Sequence, residues 1–291
     1  MTGKQGGFSI ALAQAYLCSN ILTKVLVLST CLLLMADQGE AETKAQEDSM
    51  GFKVAAYNVR VGRNASPEEI GHALAPYNLD IVCFSEAPAG DWTQRVGAVL
   101  GMEHIVVGRY STAGHDDKYK SIASRMPLYG SEEILMADTL HTVTRAMVRI
   151  GGKVIAIYSV HFPKGWRDQA HIDETTGKVT AFIDDLKNRP ANEIAIVMGD
   201  FNFVSSNADS SSLYHDMFID IGLDVSWRDL DIDITRRNTS RIFKPEAERI
   251  GHVIDHIMYD PSKVSAIDGD IIELDKPLSD HKPVWAHLEL R

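Results

Sequence analysis

The stretch Ile194 to Phe203, IAIVMGDFNF, constrains the fold of this chain more than any other. Ile194, Ala195, Ile196 and Val197 run on through Met198 and stop at Gly199. A short continuous apolar run closed by glycine is the pattern of a strand buried on both faces, which needs a packed layer on each side. Asp200 and Asn202 follow where such a strand leaves its sheet. With a strand's period of two they share one side and Phe201 takes the other. A carboxylate and a carboxamide are thus delivered together to a sheet edge. The plain alternative is a strand followed by an Asx turn, since Asp and Asn are ordinary turn residues.

The rest of the chain supplies the layers. Phe52 to Val59 and the apolar run Leu79 to Ser85 read as strands, the first ending at Asn58 and the second delivering Glu86. Ser66-Pro67-Glu68-Glu69 combines an N-cap, a proline at the first helical position and a capping glutamate, opening a helix to about Ala75. Asp91 opens another through Leu100, and Trp166 to Lys187 is a long helical stretch. Shorter strands are expected near 103–107, 121–124 and 130–136, and a short helix over 213–221. Leu140 to Ile150 and Val154 to Val160 are paired through Gly151-Gly152, a hairpin signal. Arg236 to Arg249 reads as a polar loop, Val253 to Tyr259 as a strand and Val284 to Leu290 as a closing strand. Strands and helices mixed with hairpins argue for an α+β sandwich of two mixed sheets flanked by helices, in one domain over 51–291.

The N-terminus reads differently. Val25 to Ala36 is unbroken apolar and small residues, preceded by Lys24, with Gly39-Glu40-Ala41 offering a cleavage point. That length suits a signal peptide and is short for a membrane span. Residues 1–41 are therefore expected to be a signal peptide or membrane leader. Export to the periplasm or medium follows if it is cleaved, and membrane anchoring if the earlier semi-apolar stretch Phe8 to Leu22 keeps it in place. Residues 42–50 read as a polar linker. With the leader gone, Cys83 is the remaining thiol, inside an apolar run, so neither a disulfide framework nor a cysteine metal site is available. The net charge of −11 argues against a broad positive face for nucleic acid, but a bound cation would reverse the field locally.

Polar groups suited to phosphate or metal chemistry recur at strand ends: Asn58, Glu86, His161, Asp200 with Asn202, and Asp255, followed by Ser279-Asp280-His281-Lys282-Pro283 before the last strand. Each has a bland alternative. Asn58 is a turn residue type, Glu86 a solvated carboxylate type, and His161 a histidine ahead of a turn at Pro163. Asp255 alone is odd, because a carboxylate in an apolar strand needs a partner. Their shared position where a sheet opens to solvent favours one site.

These residues resemble the endonuclease/exonuclease/phosphatase superfamily. The matching pieces are YNV at 57–59, SEA at 85–87, SR-P at 124–127, SVH at 159–161, GDFN at 199–202, ID at 254–255 and SDHKPV at 279–284, in the family's order. Ser85 departs from it, since many members carry glutamine before the glutamate. The resemblance implies a four-layer α/β/β/α sandwich with the site at one edge of the paired sheets. It also implies a divalent-metal-dependent hydrolase of phosphate esters, working by in-line attack of water.

Glu86, Asp200, Asp255 and Asp280 in one cleft stay ionised only beside a cation, or some take up protons. Oxygen donors without thiolates select a hard ion, so magnesium is expected, with manganese or calcium as alternatives. Glu86 is the expected direct ligand, with Asn58 and Asp280 beside it. By resemblance, Asp255 orients His281, Asp200 activates or orients the water, and His281 faces the scissile phosphate. Family mechanisms differ on whether Asp200 or His281 takes the proton. His161 is assigned to a non-bridging oxygen or the leaving group, with Asp116 or Asp117 as its candidate carboxylate support. Asn58, Asn202 and Arg145 are the expected substrate contacts, a structural salt bridge being the alternative for Arg145.

The substrate is expected to be a phosphate ester, with DNA or another phosphodiester among the candidates, and no stable protein partner is implied. Arg236, Arg237, Arg241, Lys244 and Arg249 form a cationic loop entering the Asp255 strand, either a wall along a phosphodiester backbone or a solvated charged loop. The expected enzyme is a phosphodiesterase of the endonuclease kind, with a phosphomonoesterase of the inositol-phosphatase kind or a sphingomyelinase-like phosphodiesterase as the alternatives within the class. A non-catalytic phosphate-binding module is the alternative outside it.

Overall fold

The structure, a computed structural model, describes residues 51–164, 169–202 and 213–291. The expected leader (1–41), the linker (42–50) and the start of the helix expected from Trp166 lie outside the described residues. Among the described residues, no helix is long and apolar enough to cross a membrane.

Two mixed sheets of six strands each make the framework. The first runs, edge to edge, β3 (His104–Val107), β4 (Tyr119–Ser124), β2 (Ile81–Ala87), β1 (Gly51–Asn58), β12 (Val284–Leu290) and β11 (Val264–Ile271). The second runs β5 (Tyr129–Leu135), β6 (Thr142–Ile150), β7 (Lys153–His161), β8 (Glu193–Asp200), β10 (Asp255–Tyr259) and β9 (Asp224–Val225). Alternation along β1 explains the layering. Val54 and Ala56 enter the core shared with the second sheet, while Ala55 and Tyr57 pack under α1 (Pro67–Leu74) and α2 (Trp92–Leu100) through Ile70, Leu74, Val96 and Leu100. On the far side, α3 (Gln169–Asn188) lays Val179, Phe182 and Leu186 on the second sheet, with Phe182 5.5 Å from the Tyr158 ring. Burial of each such side chain contributes roughly 1.5–3 kcal/mol. The result is the expected α/β/β/α sandwich.

Local expectations are met where the signals were chemical. Ser66 accepts from the Glu69 amide and Glu69 returns the bond, so the capping box is complete. Gly151 and Gly152 both take positive φ in the two-residue turn between β6 and β7. Asp91 precedes α2, but its side chain makes no capping bond. β11, with its polar SAIDGDI sequence on a sheet edge, is a strand that the hydrophobic pattern did not announce.

The topology positions the site. Among the described residues β1 with β2 and β7 with β8 pair in parallel, and the hydrogen bond from Asn58 at the end of β1 to Asp200 at the end of β8 brings both pairs to the same rim. β10 is antiparallel to β8 and β12 to β1, so these two begin at that rim. Register then aligns His161 with Asp200, Asp200 with Asp255, and Asn58 with Ser85.

Candidate active site

The rim residues converge on a cleft of about 430 Å³ lined by Glu86, His161, Asp200, Asn202, Asp280 and His281, among others. Glu86 is part of β2 rather than beyond it. The pairing with β4 slips between Phe84 and Ala87, and Glu86 takes a left-handed φ of 52°. A bulge of this kind turns a side chain away from its strand's normal direction, and here it aims the carboxylate into the cleft. Gly199 is required for a different reason: at φ 146°, a Cβ there would lie 2.2 Å from the Val160 carbonyl oxygen on the neighbouring strand.

Asp200 is nearly inaccessible. Its Oδ2 accepts from Asn58 Nδ2 at 2.9 Å and its Oδ1 from the Asn202 amide at 2.8 Å. The Asx turn and the functional cluster are therefore the same feature. Asn202 sits at φ 54° and its side-chain amide donates to the Phe162 carbonyl at 2.8 Å, holding the chain as it leaves β8. Burial raises the Asp200 carboxyl above its ordinary value; nearby His281 opposes the shift and Asp255 adds to it.

His281 is bound through Nδ1 to Asp255 Oδ2 at 2.8 Å, and its Nε2 lies 3.8 Å from Asp200 Oδ2. Burial alone would lower this imidazole, but Asp255 and then Asp200 push it up to about 10. Asp255 is fully buried, and its Oδ1 has no hydrogen-bond partner. Thr239 Oγ1 accepts from the Ile254 and Asp255 amides, and the Thr239 carbonyl accepts from the Lys282 amide, so the Asp255 and His281 segments are pinned together. Ser279 Oγ donates to the Asn58 carbonyl at 2.7 Å, tying the segment to β1.

His161 lies between the carboxylates, Nε2 3.7 Å from Glu86 Oε1 and 3.6 Å from Asp200 Oδ2. Burial pushes it down to about 3 against the pull of Asp200, leaving a neutral ring whose Nδ1 has no partner. The carboxylate support expected from Asp116 or Asp117 is absent: Asp117 instead accepts from the Ala89 amide at 2.5 Å.

The structure places two other expected contacts as follows. Asn58 lies buried behind the cleft, its Nδ2 donating to Asp200 and its Oδ1 accepting from the Arg60 amide at 3.0 Å. In this arrangement it positions Asp200, one hydrogen bond at each of its polar atoms being made to protein. Arg145 is not at the cleft. It is held by Glu132 and Glu193, the latter at the opposite end of β8 from Asp200. The salt-bridge alternative is the observed one. In the cationic loop, Arg241 and Lys244 line the cleft, whereas Arg237 pairs with Asp270.

Two lysines escaped the sequence reading, and Ser85, named there as a departure from the family, has a structural role that it did not assign. Ser85 Oγ donates to the Val160 carbonyl at 2.8 Å and accepts from the Asp200 amide at 3.3 Å, so a hydroxyl links the two sheets where many family members carry glutamine. Lys118 Nζ lies 3.1 Å from Glu86 Oε2, and Lys120, fully buried, lies 3.9 Å from Glu133. The alternation KYKS at 118–121 was the available signal, since residues two apart in a strand share a face.

The donor set fits a hard divalent ion. Asp200, Asp255 and His281 each place a potential ligand atom within 4.8 Å of the others. The hydrogen bond between His281 and Asp255 already engages two of these, which leaves Glu86 and Asp280 as the carboxylates opening onto the cleft beside Asp200. Cys83, the free thiol among the described residues, is buried in the core.

A four-layer sandwich with carboxylates and two imidazoles at one rim defines the phosphoesterase- and nuclease-type architecture. The chain belongs to the Endonuclease/Exonuclease/phosphatase family, which it matches over residues 55–281. Members are generally phosphoesterase hydrolases, and the family is typically dependent on a divalent metal. Solved structures share the fold. An endonuclease/exonuclease/phosphatase from Beutenbergia cavernae has a TM-score of 0.69 at 16% identity, covering 82% of this chain and 72% of that one. One from Bacteroides vulgatus has 0.64 at 18%, covering 83% and 99%. The D. rerio TDP2 complexed with single strand DNA product has 0.63 at 14%, covering 82% and 99%. No curated protein matches the chain.

Proposed function

We propose that the protein is a magnesium-dependent phosphodiesterase of the nuclease kind, hydrolysing its substrate by in-line attack of water. The observation that carries this reading is the Asp255–His281 pair with Asp200 3.8 Å from the far imidazole nitrogen. A protein that only binds phosphate has no use for an oriented acid–base pair. Near neutral pH His281 is an imidazolium, so it serves as a cationic donor to the scissile phosphate rather than as a base. Asp200, raised by burial, is the group suited to accept the water's proton, with Asn58 and the Asn202 amide fixing its two oxygens. Neutral His161 offers Nε2 to a non-bridging oxygen. Glu86 and Asp280 would hold the metal, which supplies neutralisation of charge on the phosphoryl oxygens. Residues 1–41 would direct the domain of 51–291 out of the cytoplasm or anchor it at the membrane.

The test is hydrolysis of bis-p-nitrophenyl phosphate, p-nitrophenyl phosphate and plasmid DNA, each with magnesium or with EDTA. Magnesium-dependent cleavage of the diester and the plasmid is expected. Turnover of the monoester alone would replace this reading with a phosphomonoesterase, and inactivity on all three with a binding module.

A further inference from the structure

A charged pair lies buried between the two sheets, outside the cleft lining and unused by the mechanism above. Lys120 is fully buried, and its ammonium lies 3.9 Å from the Glu133 carboxylate, whose side chain is 7% exposed. Lys120 stands on β4 of the first sheet and Glu133 on β5 of the second. The ammonium also donates to the Tyr110 carbonyl and to Thr112 Oγ1, each at 3.3 Å. The carboxylate accepts from Thr142 Oγ1 at 2.6 Å and from Thr144 Oγ1 at 3.1 Å. Gly108 leaves room for these groups: a Cβ there would lie 2.4 Å from Thr144 Oγ1 and 2.8 Å from Glu133 Oε1. Burial lowers the Lys120 ammonium to about 8 against the pull of Glu133, so it is charged at neutral pH.

Strand register ties this pair to the site. Between β2 and β4, Phe84 pairs with Ser121 and Ala87 with Tyr119, so Lys120 is the single β4 residue opposite Ser85 and Glu86. It is the partner of the bulge that turns Glu86 into the cleft. On the second sheet, Thr144 pairs with Ser159 of β7, two residues before His161. Glu86 and His161 belong to different sheets and lie 3.7 Å apart, so contacts between the sheets set their separation. A buried ion pair is weak evidence of stabilisation, because apolar side chains of similar volume often replace one without loss. What such a pair adds over apolar packing is directed hydrogen bonds of fixed geometry.

We propose that Lys120 and Glu133 are positioning residues, an ionic clamp between the sheets that holds the Glu86 carboxylate beside His161 and ready for the metal. This rests on the metal-dependent phosphodiesterase reading above and names residues that prepare its site. Neither side chain reaches substrate. Lys120 acts through the bulge opposite it, and Glu133 through the two threonines of β6, the strand beside β7.

The experiment measures magnesium binding by calorimetry, urea unfolding in EDTA and hydrolysis of bis-p-nitrophenyl phosphate, all on the full chain. The double variant Lys120→Met with Glu133→Gln removes both charges at nearly constant volume. Its urea midpoint should stay near the parent's while magnesium affinity falls about 10–100-fold, the usual effect of removing the support of a ligand. Its kcat should fall as well, and by more than KM rises. Thr112→Val deletes one hydrogen bond to the ammonium and leaves the charges paired. It should weaken magnesium binding at least about threefold at parental stability, and it decides the matter if the double variant does not fold. Parental magnesium affinity in the folded variants overturns the proposal, as does a loss of affinity confined to variants that have also lost their urea midpoint. A parent that binds magnesium and leaves the diester intact overturns the phosphodiesterase reading alone, since the calorimetry needs no turnover. A parent that binds no magnesium overturns both.

Discussion

Ser85 and Asp200 meet across the gap between the two sheets: the Asp200 amide donates to Ser85 Oγ at 3.3 Å, and that hydroxyl donates to the Val160 carbonyl at 2.8 Å. The residue preceding the Glu86 ligand candidate thus locks the strand that carries Asp200. Ser85→Ala leaves a buried carbonyl and amide without this partner and should cost about 1–3 kcal/mol in urea unfolding. It should also lower kcat more than it raises KM, since Asp200 loses its setting. A variant as stable as the parent would show that the sheets are held elsewhere.

His281→Ala and Asp200→Ala are each expected to reduce kcat by about 10²–10⁴-fold with the fold intact by circular dichroism. The double variant should be little worse than either single one, because residues acting as a unit do not add. Near-parental turnover in both singles would remove them from the chemistry.

His281 should stay protonated far above the ordinary 6.5, to about 10, in metal-free protein. Folding then takes up a proton between these values. The stability of the Asp255 pair is complete below about pH 6.5 and is lost as pH climbs toward 10. The stability difference between the parent and Asp255→Asn should therefore shrink across that window. The imidazole titration followed by NMR should move down by at least about one unit in the variant. A midpoint near 6.5 in the parent contradicts the assignment.

Glu86 and Asp280 are proposed to hold the metal. Magnesium should raise the melting temperature, since a ligand of the native state stabilises it by mass action. Glu86→Gln should at least halve that rise. The Lys118 ammonium at 3.1 Å from Glu86 predicts that Lys118→Met tightens magnesium binding, read by calorimetry.

Arg145 is bonded to Glu132 and Glu193, away from the cleft. Arg145→Met should destabilise by about 1–3 kcal/mol, discounted for the exposed Glu132 partner, while KM for a phosphate ester moves less than about twofold. A large KM effect would return this residue to the substrate.

Legibility followed the range of each signal. The two-sheet sandwich, the buried strand at 194–200, the capping box at Ser66 and the hairpin at Gly151-Gly152 rest on neighbours in sequence and could be read directly. β11 could not, because an edge strand carries polar residues on its open side.

By itself the sequence determined which residue types stand at the strand ends, since alternation and glycine or proline punctuation act over a few positions. It also carried the family's motifs in order. Only the tertiary structure decided what each group does. Parallel and antiparallel register brought Asp200, Asp255 and His161 into line. A bulge turned Glu86 into the cleft. Burial took the His161 imidazole down toward 3, while the carboxylates of Asp255 and Asp200 overcame burial at His281 and took it up toward 10. The same packing tied Asn58 to Asp200 and left Arg145 out of the cleft lining. Desolvation and charge depend on what is packed within a few ångströms, and those neighbours lie tens to hundreds of residues away along the chain.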